Sequence, residues 1–227
     1  MTKSFRDFRY YESLLVTFVV VLLISNLVGP KICAIGPFAI SAAQLLFPIT
    51  YIFGDIFTEV YGYGASRRAI WIAFCAEALL AVLGLIAVAA PAHSSWHDQK
   101  AFETVFYQYP RMIMASLLAF WCGEFVNSFV MAKMKILTGG RHLWTRTIGS
   151  TAAGQAVDTC VVMIVAFAGK QGPAVIVNLI LSGYFGKVLY EVLATPLTYL
   201  IVNKLKRSEG MDPFDYGTRF NPFVADH

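Results

Sequence analysis

The chain consists of apolar blocks, each about 20 residues long, separated by short segments that carry most of its charges. A helix of about 20 residues is long enough to cross the roughly 30 Å of hydrocarbon in a bilayer. Only 14% of the residues are charged, whereas a typical soluble domain carries about a quarter. The pattern predicts an all-α, polytopic membrane protein that forms a single transmembrane domain over residues 1–227.

Helix boundary residues divide the blocks into six predicted transmembrane helices. Proline at the start of a helix and glycine beyond its end are typical, and Pro110 and Gly169 occupy such positions. The predicted spans cover residues 11–28, 38–59, 69–90, 112–132, 147–168 and 173–202. The sixth span is too long for one straight crossing and contains Pro196, so we expect it to be tilted or bent.

The distribution of lysine and arginine predicts the orientation. With the N-terminus inside, the inner segments hold thirteen of these residues and the outer segments four, while Lys187 lies within the sixth span. Because basic residues are retained on the cytoplasmic side, both termini are predicted to be cytoplasmic.

Polar and ionisable side chains recur inside the predicted spans. An ionisable group at the bilayer centre costs about 2.5–3.5 kcal/mol on insertion scales, so it needs a partner or a function. The residues concerned are Gln44, Asp55, Glu59, Glu77, Glu124, Asn127, Gln155, Asp158, Asn178, Lys187 and Glu191. Pairs such as Lys187 and Glu191 are four residues apart and share a helix face. We therefore expect four helices to bury their polar faces together.

The depth of these residues predicts a polar path across the bilayer. At about 1.5 Å of rise per residue, Asp158 and Lys187 lie near the middle. A structural ion pair of Lys187 with Asp158 or Glu191 is the simpler interpretation, as are interhelical hydrogen bonds of Asn and Gln. One lysine cannot neutralise the acids of the second, fourth, fifth and sixth spans together, which favours a solute pathway.

Glu59 lies at the predicted inner end of the second span and is followed by Arg67 and Arg68. A salt bridge at the interface is the simpler interpretation of these three residues. In a transporter Asp55 and Glu59 would lie at an inner gate with Arg67 and Arg68. Glu77 has no polar partner on its own helix face, and the sequence does not identify a role for it.

The outer segment 91–110 contains a further apolar pattern. Phe102, Val105, Phe106 and Tyr109 fall on one helical face. The pattern predicts a short helix that lies either on the outer leaflet or against the outer end of the bundle.

Other kinds of site have little support in the sequence. All four histidines lie outside the predicted spans, and His93, His97 and Asp98 lack a further strong zinc ligand at close spacing. The chain contains no HExxH, GxSxG or GK[ST] motif. We therefore predict no enzyme activity, no cofactor and no metal. The basic residues are dispersed in loops, so no nucleic-acid partner is expected.

Three segments carry a family resemblance. They are PITYIFGDIFTEVYGYGASRR at 48–68, GSTAAGQAVDT at 149–159 and GYFGKVLYEVLATPLTYLI at 183–201. In this order they resemble the vitamin-uptake-like transporter family, the queuosine precursor transporters of bacteria. The resemblance runs from the first span to the end of the sixth.

The resemblance implies a six-helix importer of 7-deazapurine bases in the bacterial inner membrane. Its solutes would be the cyano- and aminomethyl-deazaguanines from which queuosine in tRNA is made. The polar motif positions of the family would fall on Asp55, Glu59, Arg67, Arg68, Gln155, Asp158, Lys187 and Glu191.

The chemistry of a guanine-like base suits these residues. A carboxylate accepts the ring N–H and the exocyclic amine together, in strong and orienting hydrogen bonds. We expect Asp158 or Glu124 to bind this edge, Lys187 to set their protonation state, and Lys187 or Gln155 to donate to the ring carbonyl. The candidate substrate-binding residues are Asp158, Glu124, Gln155, Lys187, Glu191, Asp55, Asn127 and Gln44. The aromatic residues that could stack on the base are Tyr51, Phe53, Tyr184 and Phe185.

Three other hypotheses remain open. The chain could be the substrate-binding subunit of an ATPase-energised vitamin uptake complex, a membrane scaffold or lipid enzyme, or a proton-coupled carrier of another small polar solute. The expected partners are the lipid bilayer, a small nucleobase-like solute and a second copy of the chain in a homodimer.

Overall fold

Helices account for most of the residues that the computed structural model describes, which are 8–29, 31–35, 38–106, 110–169 and 172–224. The elements are α1 (Tyr11–Val28), β1 (Ile32–Ile35), β2 (Phe38–Ser41), α2 (Ala43–Ile56), a π-helical segment (Phe57–Tyr61), α3 (Tyr63–Ala89), α4 (Gln99–Phe106), α5 (Pro110–Leu137), α6 (Leu143–Phe167) and α7 (Pro173–Glu209).

Five of the described helices are long and apolar enough to cross a membrane: α1, α3, α5, α6 and α7. The first predicted span coincides with α1, and the fifth lies largely within α6. The remaining three helices begin or end several residues beyond their predicted bounds, because polar first and last turns extend a helix past its apolar part. The protein is therefore mostly helical with several helices of membrane-spanning character.

The start of the second predicted span was wrong. Residues 38–41 form β2, which pairs with β1 in an antiparallel hairpin whose register sets Ile32 against Ser41 and Ile35 against Phe38. The helix begins only at Ala43, so α2 is short.

The second helix changes its pitch before it ends. Directly after α2 the π-helical segment carries Glu59, and π-helical turns are frequent at functional sites. Gly62 then adopts a φ of 85°, a conformation that glycine accepts without steric cost. The backbone N–H of Tyr63, at the start of α3, donates to the carboxylate of Asp215.

The apolar core lies between α1, α2, the π-helical segment and α3. Tyr11, Phe18 and Phe57 are buried there and their rings pack edge to face. The hydroxyl of Tyr11 also donates to the backbone carbonyl of Ala65 at 2.9 Å, which joins α1 to the first turn of α3. These contacts hold α1 against the π-helical segment and the start of α3.

Helix α7 is continuous through Pro196 and is 37 residues long. At about 1.5 Å per residue it is longer than the hydrocarbon core is thick, so part of it must extend beyond the bilayer. It ends at Gly210, which has a φ of 64° and donates its N–H to the carbonyl of Lys206. Outward residues such as Leu193 and Leu200 are exposed, as expected of a lipid-facing surface.

After α7 the chain turns back and packs along α3 and α5. We call residues 211–224 the C-terminal tail. Arg67 donates to the carbonyls of Arg219 and Asn221, and the Trp71 indole N–H donates to the carbonyl of Pro222. The tail is therefore part of the folded bundle.

The predicted helix in the 91–110 segment is α4. Phe102 and Phe106 lie on it in mutual ring contact, whereas Tyr109 lies outside the described residues. A Cβ added to Gly84 of α3 would lie only 2.9 Å from the Phe106 ring. Of the two predicted placements, the contact supports packing against the bundle.

Helices α5 and α6 approach one another through glycine. A Cβ on Gly154 would lie 2.8 Å from the carbonyl oxygen of Gly123, and one on Gly123 would lie 2.8 Å from the Cβ of Asp158. Small residues allow this backbone contact, a frequent way of packing membrane helices.

A single methyl group at this crossing should destabilise the protein. We expect Gly154→Ala to force α5 and α6 apart at a cost of about 1–3 kcal/mol, since no flexible side chain can yield there. Gly186→Ala on α7 is the matched control, because a Cβ at Gly186 meets nothing within 4 Å. Thermal unfolding of the purified variants in detergent measures the difference. Equal midpoints for the two variants would contradict the close crossing.

Candidate functional site

Four elements of the bundle contribute buried polar side chains to one region. Helix α2 carries Asp55, α5 carries Glu124 and Asn127, α6 carries Gln155 and Asp158, and α7 carries Glu191. All six are buried, with Asp158 the most exposed at 9%. The structure thus confirms the prediction that four helices bury their polar faces together. We call these six residues the central polar cluster.

Contacts between α2 and α5 hold one side of the cluster. The side-chain amide of Asn127 donates to Asp55 Oδ1 at 3.1 Å. A Cβ on Gly54 would lie 2.7 Å from Glu124 Oε2, so the absence of a side chain at Gly54 lets this carboxyl group lie against α2. The Gly123–Gly154 crossing brings α6 to the same place.

The carboxyl groups of the cluster lie within electrostatic range of each other. Glu124 interacts with both Asp158 and Glu191, and Asp55 interacts with Glu191 and Glu124. Like charges this close repel strongly in a medium of low dielectric constant. The arrangement therefore favours a ligand that brings positive charge or several N–H donors.

Lys187 is the cation that pairs with this cluster. Its Nζ donates to Asp158 Oδ2 at 2.5 Å, and its side chain is 29% exposed. The simpler interpretation from the sequence, an ion pair of Lys187 with Asp158, is therefore correct for these two residues. The other acids of the cluster have no basic partner among the described residues.

Many polar atoms of the cluster, and of Thr151 and Thr159 on α6, have no hydrogen-bond partner among the described residues. Buried polar groups are nearly always paired, and an unpaired one costs about 1–3 kcal/mol. The unpaired atoms are Asp55 Oδ2, both Glu124 carboxyl oxygens, Asn127 Oδ1, Thr151 Oγ1, both Gln155 amide atoms, Thr159 Oγ1 and Glu191 Oε1. Their concentration between the same four helices is the property expected of a binding site for a polar solute.

An aromatic side chain borders this region. Tyr51 of α2 lies next to Gln155 and within electrostatic range of Glu124, Asp158 and Glu191. Phe53, another predicted stacking residue, packs instead against Phe18 and Phe57.

The other predicted stacking residues lie on α7. Phe185 is exposed, and its ring contacts that of Tyr184. Of the four predicted stacking residues, Tyr51 is the one with an observed interaction with these acids.

A second group of charges lies where the π-helical segment meets α5, α6 and α7. Arg146 donates from Nε and Nη2 to the two oxygens of Glu59, each at 2.7 Å, and Lys206 also donates to Glu59. Lys135 donates to the Glu59 carbonyl at 2.8 Å. Asp212 of the C-terminal tail accepts from both lysines, at 2.6 Å and 2.7 Å. We call these five residues the charge cluster.

Asp212 completes the charge cluster from the C-terminal tail. Partial burial acts to raise its pKa, but the hydrogen bonds from Lys135 and Lys206 outweigh burial, and the pKa is lower than that of an ordinary aspartate. Asp212 therefore supplies a second negative charge to three cations.

The predicted partners of Glu59 were wrong. Its carboxylate is bound by Arg146 and Lys206, whereas Arg67 donates to backbone carbonyls of the C-terminal tail and Arg68 is exposed. Separation along the chain explains the error, because Arg146 is 87 residues from Glu59 and no spacing pattern connects them.

Two further residues need comment. The side chain of Gln44, a predicted substrate contact, lies outside the described residues. Glu77, for which the sequence offered no polar partner, accepts a hydrogen bond from Asn26 of α1 at 2.6 Å. A partner on a separate helix could not be found from the spacing on α3 alone.

Comparison with known proteins identifies the family. The sequence profile described as "Putative vitamin uptake transporter" matches residues 41–201, which include both the central polar cluster and most of the charge cluster. The chain belongs to this family. Membership of the vitamin uptake transporter family confirms the resemblance noted in the three sequence segments and makes the protein a transporter of several membrane helices.

A named relative refines the comparison. A "Probable queuosine precursor transporter" of Bacillus subtilis (strain 168) is 30% identical over 168 residues, which are 73% of this chain and 73% of that protein. No solved structure matches the chain.

The charge cluster predicts a large stability effect at one residue. Glu59→Gln would leave Arg146, Lys135 and Lys206 close together with one acid fewer, and breaking a buried ion pair costs about 3–5 kcal/mol. We expect a large decrease in the thermal midpoint of the purified protein. Glu12→Gln, the same change at an exposed position of α1, is the control. Equal midpoints for Glu59→Gln and Glu12→Gln would contradict a stabilising role of the charge cluster.

Proposed function

We propose that this vitamin uptake family transporter imports 7-deazaguanine bases, the precursors of queuosine, across the bacterial cytoplasmic membrane. The observation that carries the proposal is the central polar cluster, in which Glu124 and its neighbours keep unpaired hydrogen-bonding atoms inside the bundle. The name of the Bacillus subtilis relative supports this choice of solute.

The binding edge of the base is assigned to Glu124. A guanine-type ring presents an N–H beside an exocyclic amine, and a carboxylate accepts both in parallel hydrogen bonds. Both oxygens of Glu124 are buried and have no partner in the part of the chain that the structure describes, whereas Asp158 already accepts from Lys187. Glu124 is therefore the first candidate for this edge, and the Asp158–Lys187 pair lies beside it as the second contact.

Other groups of the cluster complete the recognition. The Gln155 amide, whose atoms are unpaired among the described residues, would donate to the ring carbonyl, and Thr151 and Thr159 offer hydroxyl groups on the same helix. Tyr51 borders these residues and supplies an aromatic face for the base. Asp55, Asn127 and Glu191 form the inner side of the proposed site.

The charge cluster is proposed as the inner gate. Glu59 joins the π-helical segment to α6 and α7 through Arg146 and Lys206, so release of a solute into the cytoplasm requires these ion pairs to separate. This keeps the predicted gate role of Glu59 and replaces Arg67 and Arg68 with its observed partners. The π-helical segment that carries Glu59 is the proposed place of this conformational change.

The topology proposed for this function has six crossings and cytoplasmic termini. Helix α2 and the π-helical segment together span Ala43 to Tyr61, and at about 1.5 Å per residue they approach the thickness of the hydrocarbon core. They would form the sixth crossing. The excess of lysine and arginine in the segments assigned to the inside supports the orientation.

Uptake measurements test the role of Glu124 and Asp158. In bacterial cells that lack their own importer, the wild-type chain should restore the uptake of labelled 7-deazaguanine bases. It should also restore the formation of queuosine in tRNA. Glu124→Gln and Asp158→Asn should each decrease uptake at least about tenfold, because a hydrogen bond to a charged group contributes about 1.5–3 kcal/mol.

The controls separate the parts of the proposal. Glu12→Gln removes a carboxylate from an exposed position and should transport like the wild type. If Glu124→Gln and Asp158→Asn also transport like the wild type, the assigned binding residues are wrong. If the wild type restores nothing, the solute is wrong. Uptake by liposomes that contain this chain alone would exclude a requirement for an ATPase subunit.

A further inference from the structure

A pocket with two polar lining residues lies apart from the central polar cluster, and none of its described lining residues belongs to α7. It opens between α1, α3, α4 and α5, and its two polar lining residues are Asn26 and Glu77. Apolar side chains form the remainder of the described lining, among them Val105 and Phe106 of α4. Asn26 is two residues from the end of α1, so in the proposed orientation the pocket belongs to the outer half of the membrane.

Glu77 is a buried acid with one oxygen free. Its residue is 6% exposed, and Oε1 accepts the hydrogen bond from the Asn26 amide at 2.6 Å. Glu77 Oε2 has no hydrogen-bond partner among the described residues. Asn26 holds the carboxyl group in a fixed orientation through this bond, and the amide also donates to the carbonyl of Leu22 at 3.3 Å.

The pocket lacks a cation of its own. Its described lining contains no lysine, arginine or histidine, so the protein offers Glu77 an amide and apolar surface only. A carboxylate in such surroundings gains most from a ligand that brings a positive charge and N–H donors. The ring of Phe106 lies in the same pocket and presents an apolar face to a flat ligand.

The pocket is close to the central polar cluster. Glu77 lies within electrostatic range of Asp158, the acid that pairs with Lys187. In the proposed function the pocket would therefore lie near one of the acids assigned to the solute. Helix α4 covers this side through the packing of Phe106 on Gly84.

We propose that Glu77 and Asn26 form an outer subsite that binds the protonated amine of a flat heteroaromatic solute. The subsite makes the transporter select aminomethyl-deazaguanine, which carries such an amine, over the uncharged cyano-deazaguanine. This inference rests on the proposed function, since it concerns the same solute at an earlier position on its path.

Binding measurements on the full-length protein in lipid nanodiscs test the subsite. The dissociation constants of aminomethyl-deazaguanine and cyano-deazaguanine are measured for the wild type, Glu77→Gln and the control Glu12→Gln. We expect Glu77→Gln to weaken binding of the aminomethyl compound at least about tenfold, the loss of a charge-assisted hydrogen bond. Binding of the cyano compound should change less than about threefold, which also shows that the variant is folded.

Asn26→Leu provides a second variant with the same measurement. It keeps the side-chain volume roughly and removes the bond that orients Glu77, so it should also decrease the preference for the aminomethyl compound. A purely structural role of Glu77 would change both affinities together and leave their ratio as in the wild type.

The outcomes distinguish the two proposals. If the wild type binds both compounds and neither variant changes their ratio, the outer subsite is wrong and the proposed function stands. If Asp158→Asn abolishes binding of both compounds while Glu77→Gln affects only the aminomethyl compound, both proposals are supported. If the wild type binds neither compound, both proposals fail.

Discussion

Lipid hydrocarbon offers no hydrogen bonds, so a polar side chain on a spanning helix must find its partners inside the bundle. The Gly123–Gly154 crossing is how α5 and α6 meet this constraint. Because α5 and α6 touch through their backbones there, the acids of both helices meet next to α2 and α7 instead of facing lipid. The apolar residues of the same helices, such as Leu193 on α7, remain on the outside.

Glu59 and Glu124 show two opposite solutions to the burial of an acid. Glu59 is surrounded by Arg146, Lys206 and Lys135, and its bonds hold four segments of the chain together. Glu124 is as deeply buried, yet neither of its oxygens has a partner among the described residues. The ion pairs of Glu59 stabilise the folded protein, whereas the burial of an unpaired Glu124 destabilises it. We therefore expect a solute to supply the hydrogen bonds that Glu124 lacks.

Helical periodicity was sufficient to predict that Asp55, Glu124, Asp158 and Glu191 would meet, because each lies on the polar face of an apolar helix. Periodicity could not predict partners that depend on how helices are arranged. The ion pairs of Glu59 and the Asn26–Glu77 hydrogen bond join distant parts of the chain. The hairpin at residues 32–41 was also missed, since a short apolar run is compatible with either a strand or a helix.

The most direct test of a shared polar interior is an experimental structure of the protein in lipid with a 7-deazaguanine base bound. Our account predicts the base between α2, α5, α6 and α7, with its ring N–H and exocyclic amine within about 3.2 Å of the carboxylate of Glu124 or Asp158. A base bound elsewhere would contradict the account. So would carboxyl groups that face lipid or pair only with one another in a bundle without space for a solute.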